Sequence, residues 1–118
     1  MKIGQIVHLS IPTTNIILSI HFYESIFGIT FIKMNDDYYL AEGKDNPIAL
    51  EQVHKIANNG KTSVPFLLVD NLDLIIRKII QFQGIIVQGK TKISDNYGYF
   101  AIIQDPYGVQ IGIWNLHP

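Results

Sequence analysis

His8-Leu9-Ser10-Ile11-Pro12-Thr13-Thr14-Asn15-Ile16 returns 56 residues later as Val64-Pro65-Phe66-Leu67-Leu68-Val69-Asp70-Asn71-Leu72. Each stretch passes from an apolar alternation through a short polar group into an amphipathic run. In the first copy Val7, Leu9 and Ile11 form one face and Ile6, His8 and Ser10 the other, which predicts a half-buried strand over 5–12. Pro12 ends it. Asn15 and Asn71 each supply a side-chain oxygen that can cap a helix. Ile16, Ile20, Tyr23 and Phe27 predict the buried stripe of the first helix, and Leu72, Ile75, Ile76 and Ile79 that of the second. Gly28 and Gly84 close the two runs at matching positions, as residues that favour a left-handed backbone just past a helix.

Working outward, 29–34, 38–42 and 48–53 read as strands around an Asn35-Asp36-Asp37 turn, with a loop over 43–47. Residues 54–63 read as a polar linker with a turn at Asn58-Asn59-Gly60. In the second copy 64–69, 85–88, 99–104 and 110–115 read as strands, with 91–98 taken as loop. The last two are joined by Asp105-Pro106-Tyr107-Gly108, whose Asp, Pro and Gly stand where a type I turn prefers them. The matched cap, stripe and terminal glycine identify an internal duplication. The expected fold is α+β: one domain over 1–118, made of two tandem βαβββ modules at 3–53 and 64–115, whose cupped mixed sheet encloses a hollow.

Composition narrows the function classes. The chain has 118 residues, 47% of them hydrophobic and 16% charged, and no cysteine. That excludes disorder, disulfides, thiolate metal sites and a cysteine nucleophile. Nine basic against ten acidic side chains, with the lysines scattered, leave no footprint for nucleic acid or anionic lipid. No apolar run reaches the ~18 residues of a membrane span, and polar residues interrupt 1–8 too early for a signal peptide. A cytoplasmic protein is expected.

Period 2 sorts the strand residues between core and hollow. His8, Ser10, Ala49, Glu51 and Val53 are expected to line the hollow from the first copy. From the second come Val64, Phe66, Leu68, Gln110, Gly112 and Trp114. Tyr97 and Tyr99 flank Gly98, where a ring can close over the hollow, and Tyr99 is counted with the ligand-binding set. The lining is apolar and aromatic with two ionisable groups, the usual form of a small-molecule site. His21 and Glu24, three apart on a helix, read as a solvated pair. His54 and His117 read as exposed, and no phosphate-cradling loop or nucleophile elbow occurs.

The run His8-Leu-Ser-Ile-Pro followed by Phe22-Tyr23-Glu-Ser-Ile-Phe27-Gly28 resembles the opening of the vicinal oxygen chelate superfamily. Val69-Asp70-Asn71-Leu72-Asp73 and Gly98-Tyr99-Phe100-Ala101 resemble its second-half signature, as does Asp105-Pro106-Tyr107-Gly108-Val109-Gln110-Ile111-Gly112-Ile113-Trp114. Glyoxalase I, bleomycin-resistance proteins and extradiol dioxygenases are members. The chain is most similar to the small proteins related to lactoylglutathione lyase. The resemblance implies four pseudo-equivalent metal-donor positions, two per half: His8 and Glu51 in the first, Val64 and Gly112 in the second. Neither Val64 nor Gly112 carries a lone pair, and a tight divalent site usually takes three or more protein ligands.

The resulting expectation is a protein that binds a small, partly apolar or aromatic molecule without a tightly bound catalytic metal. His8 and Glu51 then stand as the catalytic candidates, a proton-transfer pair in which the carboxylate favours the imidazolium. Two alternatives stand beside it. One is a lyase, isomerase or dioxygenase using nickel, zinc, iron or manganese. The other is a resistance protein that sequesters a drug unchanged. The resemblance also implies a homodimer, in keeping with the isoleucine-rich composition.

Overall fold

The computed structural model describes residues 2–43, 45–56 and 63–118. The expected turn at Asn58-Asn59-Gly60 lies outside the described residues. The chain divides into two compact units, Met1–Ile56 and Ala57–Pro118.

The first unit runs β1 (Leu9–Thr13), α1 (Ile16–Phe27), β2 (Phe31–Asn35), β3 (Tyr38–Ala41) and β4 (Ile48–Gln52). Its sheet has the order β1-β4-β3-β2, with β1 and β4 parallel and the remaining pairs antiparallel. The second unit runs β5 (Phe66–Leu68), α2 (Leu72–Gln81), β6 (Ile85–Ser94), β7 (Gly98–Gln104) and β8 (Gln110–Asn115). Its order β5-β8-β7-β6 repeats the first, with β5 and β8 as the parallel pair. This is the expected α+β fold of two βαβββ repeats. Strand β5 is shorter than expected because Pro65 has no N–H to donate to the ladder.

Both helices start at the foreseen caps: Asn15 accepts from Leu18 N–H at 3.2 Å and Asn71 from Leu74 N–H at 3.0 Å. The buried face of α1 is Ile16, Ser19, Phe22, Tyr23 and Ile26. It is rotated from the expected stripe, leaving Ile20 and Phe27 half-buried. Ser19 explains the rotation, since its hydroxyl donates to the buried Thr13 Oγ1 at 2.6 Å and needs no water. Tyr23 is fully buried edge-on to Phe22.

The helix ends differ. Gly28 takes the left-handed conformation after α1, at φ 68°. After α2 that conformation falls on Gln83, at φ 69°, one residue before the expected Gly84. Gln83 N–H donates to Ile80 O and Gly84 N–H to Ile79 O, the paired bonds of a Schellman ending. Gly84 is needed for space instead: a Cβ there would lie 2.6 Å from Ile79 Cγ2.

Strand β6 continues to Ser94, so most of the segment expected as loop over 91–98 is a bulged edge strand and its turn. Its polar residues face solvent, so no apolar alternation marks it, and bulges with Lys90 and Lys92 keep the edge from pairing further. Helix α2 packs against β6, β7 and β8. The core of this unit is Leu72, Ile75, Ile79, Ala101, Ile103, Ile111 and Ile113. Among the described residues no helix is long and apolar enough to cross a membrane.

Candidate functional site

Each sheet turns one face to its helix and one away from it. In the second unit β8 alternates Ile111 and Ile113, fully buried under α2, with Gln110, Gly112 and Trp114 on the opposite face. Register then brings Phe66 beside Gly112, Leu68 beside Trp114, and Phe100 beside Trp114 on the other flank. Phe66 and Phe100 stand 6.0 Å apart, tilted by 57°. The Phe66 ring lies over Gly112, where a Cβ would fall 2.7 Å from ring atom Cγ. Trp114 donates its indole N–H to Tyr97 O at 2.7 Å. That bond leaves the indole only its ring surface to offer a ligand. Phe66 and Leu68 stay 52% and 71% exposed, and Phe100 and Trp114 are half-buried, so the three rings form a partly accessible apolar platform.

Tyr99 is not part of it. It pairs with Asn115 while Phe100 pairs with Trp114, so strand alternation turns Tyr99 to the helix side. The ring that joins the platform is Phe100, which sequence reasoning missed. Counting in twos back from Gly112 through its partner Ile102 would have found it. Val64 precedes β5 and is half-buried.

The same positions in the first unit carry polar groups. Ser10 pairs with Ala49, and Pro12 with Glu51. Tyr38 stands beside Glu51 on β3. Ser10 Oγ and Tyr38 OH are 3.1 Å apart. A 56-residue shift carries Ser10 onto Phe66, and the two registers then equate Ala49 with Gly112 and Glu51 with Trp114. By the same rule Tyr38 answers to Phe100. A hydroxyl pair in one repeat thus replaces a ring pair in the other.

This register corrects two expectations. First, Glu51 is not the counterpart of Gly112; Ala49 is. Positions 49 and 51 share a face, so alternation could not distinguish them; only the pairing does. Second, His8 and Glu51 do not converge. Leu9 N–H donates to Pro47 O, which sets His8 opposite Pro47, whereas Glu51 stands opposite Pro12. Four register steps separate them, about 13 Å at ~3.3 Å per residue. They also line different hollows. His8 borders one of about 210 Å³ with Val7, Leu40, Asn46, Pro47 and Ile48. Glu51 borders one of about 580 Å³ with Asn35, Asp36, Asp37, Tyr38 and Gln52. Beside the latter, Lys33 Nζ sits 2.9 Å from Asp36 Oδ1, and that hydrogen bond holds the Asp36 carboxyl below its usual range.

A divalent ion of the kind implied by the resemblance finds a poor donor set. Of the positions His8, Ala49, Val64 and Gly112, only His8 bears a lone pair. Among the described residues no three His, Cys, Asp or Glu side chains gather as a metal site. The residues do not fit the group.

Residues 5–113 match the model of the Glyoxalase/Bleomycin resistance protein/Dioxygenase superfamily. No curated protein matches the chain. Among solved structures, a glyoxalase/bleomycin resistance protein/dioxygenase family enzyme from Burkholderia phytofirmans PsJN superposes with TM-score 0.80 at 16% identity, over 96% of this chain and 99% of that one. A lactoylglutathione lyase from Agrobacterium tumefaciens gives 0.65 at 14%, over 94% and 92%. The E144Q glyoxalase I mutant of Zea mays gives 0.72 at 17%, over 93% of this chain and 44% of that longer one. At these identities the structures show a shared fold. With both repeats spanned by the family model, this chain belongs to the Glyoxalase/Bleomycin resistance protein/Dioxygenase superfamily.

Proposed function

We propose that this protein binds a small, partly apolar or aromatic molecule, and that the platform of Phe66, Phe100 and Trp114 supplies its main contact. The observation that carries this reading is the Phe66 ring resting over Gly112, which leaves an apolar surface with no side chain rising from position 112. Rings stack on such a surface in offset or tilted arrangements, each pair contributing roughly 0.5–1.5 kcal/mol beyond its buried area. Val64 and Gly112 complete the ligand-binding set of this repeat. His8 serves as a hydrogen-bonding group in its own hollow, and the reading makes no use of a metal ion. A cytoplasmic homodimer accords with it, and mass measured in solution checks the dimer.

Trp114 is the only tryptophan, so its fluorescence reports on the platform directly. Titration with 2-naphthol is expected to quench it saturably, and Phe100→Ala to weaken the affinity by up to about tenfold, the equivalent of one ring pair. Absence of any saturable change with 2-naphthol, indole or quinoline, together with an unmoved Tm, overturns the proposal. Recovery of the bound compound unchanged after long incubation would mark a binder; a changed compound would mark an enzyme.

A further inference from the structure

We infer that this chain is a metal-independent member of its superfamily, and that the Phe66–Gly112 pair keeps a divalent cation's donor out of β8. Strand register decides this. The two repeats are equivalent residue by residue along their parallel strand pairs, Ser10 with Ala49 and Phe66 with Gly112. The donor positions are therefore His8 and Ala49 in one repeat and Val64 and Gly112 in the other. A methyl group, an isopropyl group and a hydrogen stand at three of them. Tight divalent sites use three or four protein donors, with water in any open position. One imidazole is too few. Glu51 does not make up the deficit, because it lies four register steps from His8. The hollow beside His8 has no carboxylate among its described lining residues.

Position 112 is more than empty of a donor. Atoms Cδ2, Cε2 and Cγ of Phe66 occupy the space that any side chain at 112 would enter. Sheet atoms fix the glycine: its N–H donates to Pro65 O at 2.8 Å and it pairs with Phe66 on one side and Ile102 on the other. A donor at 112 therefore needs the ring at 66 to go first. None of this depends on the ligand reading, since a chain that bound no ring compound would still lack the donors.

The test uses the full chain, purified without an affinity tag or chelator. Plasma mass spectrometry after gel filtration should find nickel, zinc, cobalt, iron and manganese well below one equivalent together. Titration calorimetry with nickel and zinc chloride should show no tight site. One equivalent of any of these metals that disappears in His8→Ala overturns the inference. For the pair itself, Gly112→Glu should lower Tm, and adding Phe66→Ser, the residue of the equivalent first-repeat position, should restore much of the loss. Equal Tm for Gly112→Glu with and without Phe66→Ser overturns the claim that the ring guards the position.

Discussion

Gln52 closes the first turn of α1 from the end of β4: its Oε1 accepts from Ile16 N–H at 2.9 Å while its Nε2 donates to Thr14 O at 2.8 Å. Asn115, at the matching place on β8, donates from Nδ2 to Val69 O. Each repeat thus uses a terminal amide to hold its last strand against the segment that enters its helix. A helix leaves its first N–H groups without internal partners, so an external acceptor there does the work of a second cap.

Gln52→Leu should therefore destabilise the protein by about 1–2 kcal/mol, the range for leaving part-buried donors and acceptors unmatched. Urea unfolding followed by circular dichroism checks this. Gln52→Glu retains the acceptor and adds charge near a helix N-terminus, so it should lose less than the leucine variant. A larger loss for the glutamate would show that repulsion between its carboxylate and the Thr14 carbonyl outweighs the retained acceptor.

Gln83 offers the opposite sign. It holds the left-handed position of the α2 ending, at φ 69°, where a side chain costs roughly 1–2 kcal/mol relative to glycine. Gln83→Gly is expected to stabilise by about 1 kcal/mol, after some loss to the freer unfolded chain. Thermal unfolding should show a higher Tm; an unchanged or lower one would mean that the Gln83 side chain contributes a contact of its own.

The same contrast explains what was legible in the sequence. Caps at Asn15 and Asn71, the Asp105-Pro106-Tyr107-Gly108 turn and the whole of β8 are decided by residues a few positions apart, and the sequence alone sufficed for them. Strand β6 beyond Gln88 is held by its partner β7 and has no apolar period, so nothing local announced it. Whether Ala49 or Glu51 answers Gly112 depends on which residue of β1 lies opposite, a fact of pairing that alternation leaves open. From the sequence Tyr99 falls on the ligand face and Phe100 stays unassigned for a related reason: one step of parity moves a side chain through the sheet.

Tyr107 gives the stability a dependence on alkaline pH. Its N–H donates to Asp105 Oδ1 at 2.9 Å in the turn between β7 and β8. Its phenol is pushed above its ordinary 10.0, first by burial and then by the Asp105 charge. The folded value is raised over the unfolded one, so this contribution is complete below about pH 10 and is lost as pH climbs through the folded value. Scanning calorimetry from pH 8 to 11.5 should show Tm falling above pH 10, less steeply in Tyr107→Phe. Parallel curves for the two proteins would assign the alkaline loss to other groups.

Two hydroxyl pairs, one buried and one exposed, separate hydrogen bonding from burial. Thr13 and Ser19 are 0% and 1% exposed, and Thr13 Oγ1 accepts both from Ser19 Oγ at 2.6 Å and from Asn15 N–H at 3.0 Å. Thr13→Val keeps the shape but leaves the buried Ser19 hydroxyl without that acceptor, a loss of about 1–3 kcal/mol. Ser10 and Tyr38 make a longer bond, 3.1 Å, on the sheet face away from α1, where Ser10 is exposed. Water can replace Ser10 as partner there, so Ser10→Ala should stay within roughly 0.5 kcal/mol. Both variants should unfold in urea with the wild-type m value, so that the midpoints compare stability alone. If Ser10→Ala proves the more damaging, the exposed hydroxyl pair is holding the sheet face in a way that solvent cannot, and burial is not what sets the cost of losing either bond.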